Sequence, residues 1–526
     1  MSGHALTADD PARFPAGAQE LDALAAADPS ERRDMWPAGL SRSARGEMEM
    51  WGRSVADLIS SEAKTPVFVM DVADFRARAR AYKTAFDKAF GSGRSQVHYA
   101  GKAFLTLELA RIAAKEGLGL DTASAGELTL AIASGCDPKL IGLHGNGKSE
   151  DLLHHAVTAG IGRIIVDSLA EIERLQRVLD GLPQAAKIPV MVRITTGVHA
   201  GGHEFIATAH EDQKFGLSLL GGASEGLSPE HQNWTGRYNI ASNDSPAMVA
   251  VKLILADERL DLAGLHSHIG SQILDFEGFK AAAKKVLEFR AEIERKTGYL
   301  VDELDLGGGY GVAYTPASEP GPNPEEVAQG LYQTVQEVCN ELDEPMPFVS
   351  VEPGRSLVAS TMITLYRVLN IKDQPVGTRE DGSIIYRRYV AVDGGMSDNI
   401  RPALYEADYT AALANRVSEA PLVAARVVGS HCESGDIVVH NVALPSDLDE
   451  GDILAVPMVG AYGWSMSSNY NWFTRLGVLG VDQGSQDSDG TPVTKWLLEP
   501  ETVDSMLAHF DPAYREYLNA SPQPNA

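Results

Sequence analysis

The sequence predicts an α/β barrel of eight parallel strands followed by a mainly antiparallel β domain. Three observations carry this prediction. From His98 to Arg355 short apolar strand candidates alternate with helix candidates of period 3.6. The polar residues of those strands gather at their C-terminal ends, the side on which such barrels build their sites. After Arg355 long helical patterns stop, and alternating strand patterns take over. The run from His98 to Arg355 has the length of the ~250 residues typical of such a barrel; an open doubly wound sheet is the alternative.

In chain order the strand candidates are "VHYAGKAF", "LGLDTAS", "LIGLHGN", "RIIVDS", "IPVMVRIT", "LAGLHSHIG", "ELDLGGGYG" and "FVSVEPGR". Amphipathic stretches such as "TLELARIAAKEG", "LAEIERLQRVLDG" and "GFKAAAKKVLEFRAEIERKTG" lie between them. The strands end on Lys102, Asp121, His144, Asp167, Arg193, His268, glycines 307 to 309, and Glu352 with Arg355. Eight strands ending this way suggest a shared mouth. The β domain follows in "TMITLYRVLNI", "SIIYRRYVAVDGG", "LVAARVVGSHC", "DIVVHNVALP" and "DILAVPMVGAYG". Residues 72–356 are assigned to the barrel, and 41–71 with 357–526 to the β domain. Residues 220–245 are polar and turn-rich and are read as a long surface loop inserted in the barrel. Residues 1–40, rich in Ala, Asp and Pro, form an extension expected to be poorly ordered.

Composition narrows the function. The 72 acidic against 45 basic side chains give a formal charge of −27, which disfavours nucleic acid or an anionic membrane as partner. No apolar run approaches membrane-spanning length, and "MSGHALTADDPARF" has neither the basic start nor the apolar core of a signal peptide. The expectation is a soluble, cytoplasmic protein. Cys136, Cys339 and Cys432 are too few and too scattered for a disulfide framework or a zinc site.

Individual motifs pose chemical questions. Lys102 stands in the apolar, aromatic run "VHYAGKAF", which reads as a buried strand. A buried amine can lose its proton and become a nucleophile, whereas a strand-end lysine can also snorkel to water. "GLHGNGKS", Gly142 to Ser149, fits the Walker A phosphate pattern after a strand and before a helix, and "RIIVD" imitates a Walker B strand. A nucleotide-binding loop belongs early in an open sheet, whereas this one falls third in a ladder that closes. "LDLGGGYG" puts three glycines at a strand end, where backbone N–H groups could approach a phosphate or simply form a tight turn.

Taken together, "YAGKAF", "HGNGKS", "HSHIGSQ", "LDLGGGYG", "VEPGRS", "DGGMSDNIRPALY", "GSHCESGD" and "GAYGWSMSSNYN" resemble, in this order, the diaminopimelate decarboxylases. These are fold type III pyridoxal-phosphate enzymes with a TIM-like, alanine-racemase-type barrel and a following β domain. The resemblance runs from about residue 64 to about residue 475. It implies pyridoxal 5'-phosphate as cofactor and Lys102 as the lysine that carries it covalently. It further implies that Glu352 pairs with the pyridine nitrogen, His268 stacks on the ring and Ser271 lies near the phosphate. Gly307, Gly308 and Gly309 would cradle that phosphate. Pro353 and Gly354 belong to the same cofactor-binding "EPGR" segment, and Tyr462 approaches cofactor and substrate.

For the substrate, the resemblance implies that Arg401, Tyr405 and Arg355 hold the distal carboxylate of meso-2,6-diaminopimelate and Glu433 its ammonium. Arg401 and Tyr405 are four apart, so a helical turn would place them on one face. Cys432 would return the proton after carbon dioxide leaves, giving L-lysine, and an ordinary thiol near pKa ~8.5 is protonated enough to do so. In the family "CESGD" serves the partner subunit, so the resemblance implies a homodimer with shared active sites, the β domain completing site and dimer interface. Cys136 and Cys339 read as small buried hydrophobes. Departures from the family pattern are Gly147 in place of a usual asparagine and Ser267 where cysteine is common. Alternatives are a decarboxylase of D-lysine or D-ornithine, a racemase on the same fold, a cofactor-binding regulatory protein, and, more remotely, a P-loop NTPase.

Overall fold

Eight parallel strands close on themselves: Ser95–Ala100, Gly119–Thr122, Ile141–Leu143, Arg163–Val166, Ile188–Thr195, Leu260–His266, Glu303–Asp305 and Phe348–Val351. Each pairs in parallel with the next, and the circle is completed by Val349 opposite Ser95. All eight sequence-predicted strands are present, and the open-sheet alternative is excluded by the closure. This computed structural model of the chain describes residues 24–26, 28–182, 186–198, 214–221, 239–378, 381–486 and 490–512. The strands are almost wholly buried, as expected of apolar runs covered by helices on one side and packed inside on the other.

The helices between strands start for a local reason. Thr106, Ser124, Ser149, Ser168, Ser245 and Asn323 each stand at an N-cap, where the side-chain oxygen accepts a backbone N–H of the first turn. Each cap satisfies one otherwise unpaired donor and is worth about 1 kcal/mol. At Ser245 the cap is reinforced: Asp244 accepts Lys252 Nζ at 2.7 Å, Lys296 Nζ at 2.9 Å and the Ala241 N–H at 2.8 Å. Most of the 220–245 insertion, residues 222–238, lies outside the described residues.

The chain divides into two compact units. The barrel unit comprises Phe75–Val312 and Pro320–Val358; the other comprises Met1–Asp74, Ala313–Glu319 and Ala359–Ala526. In the second unit Met362–Thr378 pairs antiparallel with Ile384–Val392, with Val67–Asp71 and with Ile453–Val456. Leu422–Val428 joins Ile384–Val392 in parallel and Ile437–Pro445 antiparallel. The β patterns read after Arg355 all become strands. Val478–Gln486 and Pro492–Leu498 form a further hairpin that the sequence reading did not single out.

Part of the expected poorly ordered extension is built into this unit. Met35, Trp36 and Leu40 are buried. Asp71, at the end of its strand, accepts the Gly39 N–H at 2.8 Å, the Trp51 indole N–H at 2.9 Å and the Asp74 N–H at 2.9 Å. Residues 1–23 lie outside the described residues.

Candidate active site

The first barrel strand stops at Ala100, and Gly101–Ala103 turns into a single 3-10 turn that carries Lys102 to the mouth. Lys102 is therefore exposed in the chain, whereas the sequence predicted an amine buried within a strand. The strand ends two residues earlier than the apolar run suggested, so the side chain leaves the sheet before it can be enclosed. Gly354 leaves room beside this turn, since a Cβ there would press within 3.1–3.3 Å of Ala100 and Ala103.

Around that turn the strand ends bring titratable groups together. Glu352, at the end of the eighth strand, has its Oε1 3.2 Å from His144 Nε2 and 3.0 Å from His266 Nε2. Asp121 Oδ1 lies 3.3 Å from His144 Nε2. These are close approaches without the alignment of a hydrogen bond. Among the described residues, Asp121 Oδ1 and Oδ2, Asp167 Oδ2, His144 Nε2, both His266 ring nitrogens and Glu352 Oε1 are buried with no hydrogen-bond partner. An unpaired buried polar atom costs about 1–3 kcal/mol, so this cluster fits a polar ligand such as the ring of pyridoxal 5'-phosphate.

Burial dominates the electrostatics. It pushes His144 and His266 down to about 3 and His268 well below its ordinary range, so all three imidazoles are neutral. Burial also raises Asp121 and Asp305 to about 7, against the pull of Arg163, and raises Glu352. Lys102 is near enough for its charge to act on Asp121, Glu127, Glu352, His266 and His268. Deeper in the barrel Arg163 balances these acids, pairing with Glu303 Oε1 at 2.6 Å and Asp305 Oδ2 at 3.3 Å.

The glycine turn departs from a simple anion cradle. Gly307 N–H donates to Asp305 Oδ1 at 2.9 Å and Gly308 N–H to His268 Nδ1 at 3.2 Å, so two of the three donors are engaged within the turn. The second bond leaves the proton of neutral His268 on Nε2. A Cβ on Gly308 would meet the Glu352 carbonyl at 2.1 Å, and Gly307 has φ +68°, so these glycines permit backbone to pack on backbone. Ser271 and Arg355 meet directly, Arg355 Nη2 donating to Ser271 Oγ at 2.8 Å.

The Walker-like segment is structural. Lys148 is buried and its amine donates to Glu171 Oε1 at 2.8 Å and to the Gly145 and Ile165 carbonyls at 2.6 Å. All three ammonium donors are thus engaged. Ser149 caps the following helix. The NTPase reading is overturned, because the lysine needed for phosphate is held inside the protein.

In the second unit the predicted residues fall into two groups. Arg401–Tyr405 is a helical turn, as expected, with Arg401 buried and Tyr405 half-buried. The phenol that Arg401 meets is nevertheless Tyr409, not Tyr405: Arg401 Nη1 donates to Tyr409 Oη at 2.5 Å, and the guanidinium lies 4.8 Å from the Tyr314 ring. The chain leaves the helix through Glu406 at φ +52°, which folds Tyr409 back beneath Arg401.

Cys432 and Glu433 are exposed on a loop organised by Asp436. That carboxylate accepts the Met396 N–H at 2.6 Å, the His431 N–H at 2.7 Å and pairs with His431 Nδ1 at 2.9 Å. Cys432 N–H in turn donates to Asn471 Oδ1 at 3.1 Å. Tyr462, half-buried, has φ +62°, a left-handed conformation rare for a large side chain and a mark of functional sites. Cys136 and Cys339 are buried, as read, and burial raises the Cys136 thiol to about 11.

Sequence reasoning missed His266, Tyr409, Tyr314 and Asp436 as members of these groups. His266 was legible: "HSH" places it two residues before His268, on the same face of a strand. Tyr314 lies in Ala313–Glu319, a stretch that belongs to the second unit although barrel sequence flanks it, and no local pattern reveals that.

Comparison with known proteins is consistent with this arrangement. The pyridoxal-binding domain of the pyridoxal-dependent decarboxylases matches residues 72–233 and 238–359. A diaminopimelate decarboxylase of Mycobacterium tuberculosis is 43% identical over 481 residues, covering 90% of this chain and 97% of the relative. That of Bacillus subtilis is 39% identical over 451 residues, covering 86% and 94%. The crystal structure of the M. jannaschii enzyme in complex with L-lysine superposes with a TM-score of 0.76 at 28% identity, over 91% of this chain and 99% of that one.

Proposed function

Because the chain belongs to the diaminopimelate decarboxylase family of pyridoxal-dependent decarboxylases, we infer that it decarboxylates meso-2,6-diaminopimelate at its D-centre, releasing L-lysine and carbon dioxide. The observation that carries this is the 43% identity to named diaminopimelate decarboxylases across 90% of the chain. It makes the protein a carboxy-lyase of lysine biosynthesis that depends on pyridoxal 5'-phosphate. When bound, that cofactor supplies an electron sink for the pair left on Cα as carbon dioxide departs.

Each residue role belongs to the proposal. Lys102, presented at the barrel mouth, holds the cofactor. Glu352 faces the pyridine nitrogen with neutral His144 and His266 behind it. His268, its Nδ1 fixed by the Gly308 N–H, offers a flat uncharged ring for stacking. Gly309, Pro353 and Gly354 shape the wall, and Ser271, tied to Arg355, serves the phosphate end. The two committed N–H groups of Gly307 and Gly308 leave them a shaping rather than an anion-binding part.

On the substrate side Arg401, with Tyr405 and Arg355, takes the distal carboxylate. Glu433 takes the distal ammonium, Tyr462 borders the reacting end, and Cys432 carries a proton to Cα. The exposure of Cys432 and Glu433 supports service to the active site of a second subunit, hence a homodimer, and a cytoplasmic location accords with a biosynthetic role. No helix among the described residues is long and apolar enough to cross a membrane. Arg401 favours this substrate over D-lysine or D-ornithine, which lack the distal carboxylate and would leave a dry guanidinium unpaired.

The direct test is L-lysine formation from meso-diaminopimelate by protein reconstituted with pyridoxal 5'-phosphate. Steady lysine release is expected. Cofactor-loaded protein that forms no lysine, yet decarboxylates D-lysine or D-ornithine, would move the substrate within the same chemistry.

A further inference from the structure

Arg401 is a buried cation whose partners are phenols. Its relative exposure is 5%, Tyr409 is 1% exposed and Tyr314 8%. Nη1 donates to Tyr409 Oη at 2.5 Å, Cζ lies 4.8 Å from the Tyr314 ring centre and 5.7 Å from that of Tyr409, and the two rings meet edge to face at 5.2 Å. Among the described residues no carboxylate forms an ion pair with it. Buried arginines ordinarily acquire an acidic partner, because an uncompensated charge away from water is costly.

The choice of phenol has a consequence. A carboxylate partner would fix the guanidinium and also neutralise it, so an incoming carboxylate would meet a spent charge and a like-charged neighbour. A phenol, ordinarily protonated below pH ~10, accepts one guanidinium hydrogen without cancelling the charge. A ring on the flat face holds the plane of the fork through a cation–π contact. Four of the five N–H donors and the full positive charge stay committed to nothing on Tyr409.

We propose that Tyr409 and Tyr314 are positioning residues that hold the Arg401 fork in one orientation, uncancelled, and thereby set the selectivity for a substrate with a second carboxylate. This deepens the function above and rests on its assignment of the distal carboxylate to Arg401. Tyr405, the neighbour that spacing alone suggests, is not the residue that orients the arginine.

The test uses the holoenzyme and L-lysine, the product that retains the distal carboxylate, titrated by calorimetry. Tyr409→Phe removes only the acceptor, and a hydrogen bond to a charged group is worth a factor on the order of 10–100. L-lysine binding should weaken by that factor, with KM for meso-diaminopimelate rising in parallel and kcat falling less. The ratio of kcat/KM for meso-diaminopimelate over D-lysine should narrow, since D-lysine makes no use of the fork. Tyr314→Leu should weaken L-lysine binding by roughly 2–30-fold through loss of the ring face. Melting temperature and bound-cofactor absorbance identify any variant that has merely lost its fold.

Undiminished L-lysine affinity in both variants, or an equal loss for both substrates in folded protein, would overturn the proposal. Arg401→Gln separates this from failure of the functional reading. If that variant binds L-lysine as the parent does, the carboxylate is held elsewhere, and the assignment on which the proposal rests falls first.

Discussion

The barrel mouth and the substrate-side residues of the β unit handle charge in opposite ways. At the mouth, acids and imidazoles crowd into a dry space, and burial drives them toward neutrality: His144 and His266 down to about 3, Asp121 and Asp305 up to about 7. In the β unit, charge is kept. Arg401 is braced by phenols that leave it positive, and Glu433 stands in solvent on a loop that Asp436 holds by its backbone. A fixed cofactor is met with shape and unpaired polar atoms, and a transient zwitterionic substrate with exposed or uncancelled charge.

Lys102→Ala should remove the most. Without the amine neither the bound-cofactor absorbance nor lysine formation should survive, and an active variant would show that the mouth is not where the cofactor is held. Arg401→Ala comes next, because deleting one member of a buried charge pair costs about 2–5 kcal/mol, which lowers kcat/KM for meso-diaminopimelate by roughly 30-fold to several thousandfold. Its cofactor spectrum should be that of the parent protein; a changed spectrum would blur the division between the two regions.

Asp436→Ala strips three donors of their acceptor. A loss of about 2–4 kcal/mol in denaturant unfolding, with activity falling further than stability explains, is the expected pattern. Retained activity would mean that the loop carrying Cys432 and Glu433 is set by something else.

The smallest effect is a pH slope. Asp305 is an acid whose folded pKa is raised, so protonation favours the folded state. Its contribution is fully present below the ordinary carboxylate range and is lost as pH rises through about 7. Cofactor-stripped protein should therefore lose stability between pH 4 and 7, and Asp305→Asn should flatten that slope in urea titrations at several pH values. An unchanged slope would shift the effect to the β unit, where Asp71 is raised to about 6.

Much of this molecule was legible because its barrel strands are uninterrupted apolar runs and its helices begin at Ser, Thr or Asn. The same regularity explains the false nucleotide motif: "GNGKS" ends in an ordinary helix cap, and Lys148 faces an acid 23 residues away that no local pattern connects to it. Lys102 was located correctly and its burial misjudged, because nothing in "YAGKAF" marks the 3-10 turn at Gly101. Tyr409 was passed over for Tyr405, since helical spacing applies only while the helix lasts and this one stops at Tyr405. Partners distant in sequence, such as Tyr314, are created by the fold.

The anchoring of Ser245 and Asp244 makes the barrel tolerant of what precedes them. The helix Pro246–Leu255 takes its starting point from its own cap and from two lysines on helical segments that follow it. The long stretch between the fifth strand and that helix is thus decoupled from the register of the barrel. It can be shortened, exchanged or used to graft a foreign sequence with little penalty to the scaffold, and its length can drift among related chains while the chemistry at the mouth is conserved.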